Sequence, residues 1–185
     1  MKAIMISIQP QWVEKILNGE KTIEIRKTMP KCELPCKVYI YETKSKYKKG
    51  FYNNLDHKVH YCEYFGKGKV VAEFTLNKVE PFSVGSWKCD DIQKLACLSY
   101  EEIINYFYKP EELDGSHLKW GYAWHIDNLK IYDKPKHLQE FFKPCDGCEK
   151  LNTSRCANEI SDCRAKTLKR PPQSWCYCQG EDDCE

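Results

Sequence analysis

The chain has 185 residues, 42% of them hydrophobic and 30% charged, with a formal net charge of +2. That composition excludes a disordered or fibrous chain, leaves room for one ordinary domain with an appendage, and carries no global polyanion-binding signature. No apolar run approaches the ~20 residues of a membrane span, and Met1–Ile4 leads into a strand pattern rather than a signal peptide, so a cytoplasmic protein without membrane contact is expected.

Charge is unevenly placed. Residues 1–50 hold eleven Lys or Arg against five Glu, an excess of six, and the remainder is net acidic, so a polyanion would approach the N-terminal third.

Ala3–Ile8 is apolar and β-branched and reads as a buried first strand ending at Gln9-Pro10. Pro10 suits the first position of a helix whose stripe is Trp12, Val13, Ile16 and Leu17, closed by Gly19 in a left-handed cap. The stretch Gly19-Glu20-Lys21-Thr22-Ile23-Glu24-Ile25-Arg26 follows as a short strand with isoleucines on one face and Glu24 beside Arg26 on the other. Lys21 stands at its start, where pleat alternation is weakest, and can join the two charges.

Val38–Tyr41 reads as a strand. Lys44-Ser45-Lys46-Tyr47-Lys48-Lys49 offers either phosphate contacts with base stacking or a solvated loop, and the unpatterned aromatics between Gly50 and Gly68 suggest an inserted loop or hairpin. Gly68–Leu76 is a clear strand, with Val79 and Phe82 continuing its apolar contacts. Ser99-Tyr100-Glu101-Glu102 is a capping box opening a helix that directs Ile103, Ile104, Tyr106 and Phe107 inward and stops at Pro110.

Trp120–Ile126 alternates large with small side chains: Trp120, Tyr122, Trp124 and Ile126 share a face, while Gly121 and Ala123 would admit a ligand or another backbone. Asp127-Asn128 reads as a turn after which Leu129–Tyr132 pairs back. His125 beside Asp127 invites an acid–base reading, but no serine or cysteine is placed to be its nucleophile, and a structural role is the plainer one. Short strands with few helices favour an α+β fold built on a small mixed β-barrel with attached helices.

Ser7-Ile8-Gln9-Pro10, the pattern Gly19-x-Lys21-x-x-Glu24-x-Arg26, the strand from Gly68 to Val79 and Gly121-Tyr122-Ala123-Trp124-His125 together resemble the ASCH domain of the PUA-like superfamily. The resemblance spans residues 1–142 and leaves 143–185 as a cysteine-rich tail similar to endings of phage- and prophage-associated members. It implies a β-barrel flanked by helices, with a cleft beside the signature strand that takes RNA or a modified nucleoside. One branch hydrolyses acetylated cytidine with a lysine, a threonine nucleophile and a glutamate from a later helix. Here Lys21 matches, Glu24 stands at the threonine position, and the glutamate position falls near Leu95 or Ala96, a departure that weighs against this chemistry.

The expected function is therefore an RNA- or nucleotide-binding module. In it Arg26 holds a phosphate or base edge, Lys21 adds a donor, Glu24 orients Arg26 or accepts from an exocyclic amine, and Tyr122 or Trp124 supplies a stacking face. The alternative is a hydrolase acting on RNA or a modified nucleoside through Lys21 and Glu24. For the charged triplet the bland reading is a surface ion pair; for Trp120, Tyr122 and Trp124 it is core packing, the usual fate of aromatics at strand spacing.

Seven of the twelve cysteines lie beyond Lys143. Cys145-x-x-Cys148 is a chelating knuckle, and one structural zinc on Cys145, Cys148, Cys156 and Cys163 is the simplest set, with Cys176 or Cys178 as rivals; the alternative is a metal-free tail, or a tail that is itself a protein-binding surface. Cys32, Cys36, Cys62, Cys89 and Cys97 read as buried thiols of the barrel.

Overall fold

The structure is a computed structural model and describes residues 3–84, 89–112, 118–144 and 167–180. Its elements in chain order are β1 (Ala3–Ile8), α1 (Pro10–Leu17), β2 (Ile23–Arg26), β3 (Cys36–Glu42), β4 (Lys46–Asn53), β5 (Lys58–Phe65), β6 (Lys69–Leu76), β7 (Val79–Ser83), α2 (Cys89–Ala96), α3 (Tyr100–Phe107), β8 (Trp120–His125), β9 (Asp127–Lys136), β10 (Phe141–Phe142) and β11 (Trp175–Gly180). Strands β10-β11-β1-β3-β6-β9 form a six-stranded mixed sheet, β2-β8-β7 a three-stranded one, and β4-β5 a separate ribbon. This is the expected α+β architecture, a curled half-barrel carrying three α-helices among the described residues.

β1 is buried along its whole length because both its faces meet a core. Ile4, Ile6 and Ile8 join Val38, Ile40, Phe74, α1 and Trp124 between the two sheets, and Ala3 and Met5 join Tyr39, Phe141 and Cys178 behind the larger sheet. A third cluster of Ile23, Ile25, Phe82, Ala123, Ile103 and Phe107 seats α2 and α3 on the outer face of the three-stranded sheet. Apolar burial of this kind stabilises by about 25 cal/mol per Å².

Helix α1 starts on Pro10 and ends as the sequence indicates: Gly19 sits at φ +75°, and Gly19 N and Glu20 N donate to the Ile16 and Lys15 carbonyls. The capping box of α3 is formed in both directions, Glu102 N donating to Ser99 Oγ at 3.2 Å and Ser99 N to Glu102 Oε2 at 2.8 Å. Helix α2 carried no signal strong enough to be expected.

Three expectations are corrected. β9 does not pair back on β8. Asn128, at φ 49°, redirects the chain so that β9 pairs with β6 while β8 lies between β2 and β7. Gly121 admits neither ligand nor backbone but two rings: a Cβ there would stand 2.5 Å from Phe82 Cζ and 2.6 Å from Phe107 Cζ. The boundary at 142 does not set a tail apart from the sheet, because β11 pairs antiparallel with β1 and β10. The reason is alternation: Trp175 and Tyr177 pack on the inter-sheet core while Cys176 and Cys178 face the core behind the sheet. These two cysteines are strand residues, and Cys178 is fully buried.

Of the remaining thiols, Cys36 is buried, Cys32 and Cys97 are half-buried, and Cys62 is exposed on the ribbon, contrary to the barrel-interior expectation for it; the side chain of Cys89 lies outside those described. Among the described residues no helix is long and apolar enough to cross a membrane.

Candidate functional site

The site is built on β2. Glu20 N and Lys21 N both donate to the Lys15 carbonyl, and Thr22 N donates to Leu95 O, so the chain leaving α1 is fixed before the strand begins. Ile23 and Ile25 then face α2 and α3, which forces Glu24 and Arg26 to the inner side, opposite Trp124 and Tyr122 of β8.

There the three predicted charges meet. Lys21 is 2% exposed, Glu24 9% and Arg26 6%. Lys21 Nζ lies 3.2 Å from Glu24 Oε2 and donates to Ala96 O at 2.8 Å; Arg26 Nη2 lies 3.1 Å from Glu24 Oε1 and donates to Ser7 O at 2.8 Å. Arg26 Nη1 donates to Ser174 Oγ at 3.1 Å, and Arg26 Nε has no hydrogen-bond partner among the described residues. Two cations thus share one carboxylate, so the triplet itself carries one uncompensated positive charge, and Glu102 is the other carboxylate bordering the same cleft.

The triplet forms the floor of a cleft of about 820 Å³. One wall is Ser7, Gln9 and Trp12 from β1 and α1, with the Trp12 ring centroid 5.8 Å from Lys21 Nζ. Opposite stand Glu102, Asn105 and Tyr106, one face of α3, while Thr43 and Ser45 close one end. Burial pushes the Tyr106 phenol above its ordinary range, against the pull of Arg26 and with the push of Glu24. The remaining side is Pro171–Gln173, held because Ser7 Oγ donates to Pro172 O at 2.6 Å and Ser7 N to Ser174 O at 2.9 Å.

The predicted aromatic pair is not part of this cleft. Trp124 is fully buried with its ring centroid 5.8 Å from that of Trp175, and Tyr122 packs half-buried against the same core. Both lie on the central strand of the smaller sheet, whose inner face is filled. The rings that border the cleft are Trp12 and Tyr106. Tyr106, expected to point inward with Ile103, Ile104 and Phe107, instead borders the cleft, because on the helix it groups with Glu102 and Asn105, away from Ile103 and Phe107. The wall at Pro171–Ser174 had no sequence signal.

His125 does not reach toward Asp127 chemistry. Its Nε2 lies 2.9 Å from Glu80 Oε2, and Asp127 accepts from Asn77 Nδ2 at 3.1 Å. The Glu80 carboxyl is held below its usual range by Lys78 and then by His125.

For metal, Cys145, Cys148, Cys156 and Cys163 lie outside the described residues. Cys176 and Cys178 share one face of β11 within the core behind the sheet, where burial raises the Cys176 thiol pKa, and no cluster of three or more His, Cys, Asp or Glu suited to a metal occurs among the described residues.

Comparison with known proteins agrees with this layout. The ASCH domain family model matches residues 6–135. A crystal structure of a point variant of the ASCH protein from Zymomonas mobilis is similar at 17% identity and a TM-score of 0.53, covering 99% of this chain and 94% of that one. A second structure of ASCH from Zymomonas mobilis is similar at 18% identity and a TM-score of 0.50, over 98% and 90% of the two chains. Likeness at this identity is a likeness of fold. No curated protein matches the chain. With 130 consecutive residues covered by the family model and the signature strand at the base of the cleft, the chain belongs to the ASCH domain family.

Proposed function

We propose that the cleft binds RNA or a nucleotide. The carrying observation is the pairing of Lys21 and Arg26 through the single carboxylate of Glu24 at the floor of a cleft walled by Trp12 and Tyr106. Glu24 fixes both cations, Arg26 and Lys21 turn their remaining donors to a phosphate or base edge, and the rings supply stacking surface. This replaces Tyr122 and Trp124 in the stacking role by Trp12 and Tyr106.

The hydrolytic alternative has less support. Both oxygens of Glu24 are engaged by cations, and the position expected to hold a later glutamate offers only the Ala96 carbonyl, which accepts from Lys21. The double pairing weighs against Glu24 as a nucleophile, while Glu102 of the later helix α3 borders the same cleft as Lys21. Incubation with acetylated cytidine and with single-stranded RNA, against a Lys21→Ala control, tests it: Lys21-dependent product would make the protein an enzyme.

The binding reading is tested by titrating a fluorescent single-stranded RNA at two salt concentrations. Arg26→Ala should weaken binding about tenfold, the scale of one charge-assisted hydrogen bond, and Tyr106→Leu at the cleft's rim should weaken it with little effect on folding. Undiminished binding by both variants overturns the assignment. Zinc on Cys145, Cys148, Cys156 and Cys163 is a separate proposal, resting on thiolate spacing alone. Elemental analysis of protein purified without nickel tests it, and less than about one zinc per chain removes it.

A further inference from the structure

The β4–β5 ribbon has no role in the fold that accounts for its side chains. Among the described residues its strands pair only with each other, and no residue of either is buried. A lone two-stranded ribbon is marginal in water and gains nothing from exposed rings. Yet Tyr61 is 68% and Phe65 69% exposed, and Tyr52 is exposed beside them.

The pairing register sorts these groups. Lys46 opposite Phe65, Lys48 opposite Glu63, Gly50 opposite Tyr61 and Tyr52 opposite Val59 form one face. A Cβ on Gly50 would stand 3.1 Å from Tyr61 Cε1, so that ring is seated on the backbone on one side and open on the other. Residues 44–67 carry six lysines against Asp56 and Glu63, a net charge of +4, whereas the whole chain carries +2 and the rest is therefore −2.

The ribbon is also rooted at the cleft. Thr43 and Ser45 border both, and Tyr47 Oη and Lys49 Nζ reach the two oxygens of Glu14 on α1 at 2.5 Å each. At the same base, on the returning strand, a Cβ on Gly66 would collide with Thr43 O and Pro10 Cγ, so the hairpin is pressed against the helix that carries Trp12.

We propose that this ribbon is a second contact surface for single-stranded RNA, on which the strand emerging from the cleft lies with its phosphates on Lys46 and Lys48 and its bases on Tyr61, Phe65 and Tyr52. The inference extends the cleft reading and rests on it for the direction in which the strand runs. Lys46 and Lys48 stand 3.8 and 3.7 Å from the exposed Glu63 carboxylate, a loose surface pairing that a phosphate can displace, and open aromatic rings flank them, which suits a polyanion with π-faces. A protein partner fits less well, since the centre of protein interfaces is depleted in lysine. Strands of eight residues span about 27 Å, room for several nucleotides, whereas the cleft alone would take one or two.

The test uses the full chain with two probes, uridine monophosphate and a fluorescent twelve-nucleotide oligouridylate, and two exposed variants, Lys46→Glu with Lys48→Glu, and Tyr61→Ala with Phe65→Ala. Both variants should keep the wild-type melting temperature and mononucleotide affinity while binding the twelve-mer about tenfold more weakly. The lysine variant should also show a shallower salt dependence, by about 0.7 in log–log slope for each phosphate no longer neutralised. Ribbon variants that bind the twelve-mer as wild type does, with the same slope, overturn the proposal. If none of the three proteins binds the mononucleotide and the twelve-mer still depends on the ribbon, the cleft reading falls and the ribbon surface stands.

Discussion

Ser174 Oγ accepts a hydrogen bond from Arg26 Nη1 at 3.1 Å across 148 positions of sequence, so the C-terminal segment is a structural part of the cleft. The same segment places Ser174 O on Ser7 N and leads directly into β11 between β1 and β10. Removing residues after Pro144 should therefore unpair β1 along one edge and uncover the inter-sheet core at Trp175 and Tyr177. We expect the shortened chain to aggregate or to melt well below the full chain. Ser174→Ala should cost only about 1 kcal/mol, the value of one hydrogen bond. A shortened chain that melts with the full-length one would show that β11 is dispensable.

The carboxylate of the triplet matters more to its stability than either cation does. Glu24→Gln leaves Lys21 and Arg26 buried with no anion, whereas Lys21→Met leaves Glu24 still paired with Arg26 at 3.1 Å. Breaking a buried ion pair by removing one partner costs about 3–5 kcal/mol, and Glu24→Gln breaks two. In urea unfolding, Glu24→Gln should have the lower midpoint of the two variants. The reverse order would mean that Glu24 is not the group that holds the cations in place.

What could be read from the sequence follows how local its cause is. The inward turn of Glu24 and Arg26 followed from the strand period, and the ends of α1 and α3 from Pro10, Gly19 and the Ser99–Glu102 box, each set within a few residues. The cleft's far wall was not legible, because Pro171–Ser174 is held by Ser7 and Arg26 rather than by any pattern of its own. Trp175-Cys176-Tyr177-Cys178 carried a readable alternation, but its cysteines drew a metal reading although both its faces pack against cores. Trp124 shows a further limit: period two gives the face a side chain occupies, and only the sheet order decides whether that face is filled.

Gly121 offers a test of how tightly α3 is seated. Its missing side chain lets the Phe82 and Phe107 rings meet edge to face at 5.9 Å between centroids over β8. Gly121→Ala places a methyl where both rings already stand, and overpacking of this kind costs about 1–3 kcal/mol. The melting temperature should fall, and Phe107→Leu in the same chain should restore part of it. A neutral Gly121→Ala would mean that α3 can lift from the sheet freely.

The thiols make a pH prediction. Cys36, at the start of β3, has its thiol pushed up to about 12, first by burial and then by the neighbouring Cys32 thiol, whose Sγ lies 3.2 Å away. A thiol with that pKa is about 0.01% thiolate at pH 8, and the thiolate is the reactive form. Site-resolved alkylation at pH 8 should therefore label exposed Cys62 early and leave Cys36 and buried Cys178 unlabelled until the protein is unfolded. The unfolded chain loses the Cys36 proton first, so this thiol lowers the stability of the fold as pH rises from about 9 toward 12 and has no effect below that window. Alkylation of Cys36 as fast as Cys62 in the folded protein, or a stability that rises across that alkaline window in wild type relative to Cys36→Ala, would show that the thiol is not sealed behind β3.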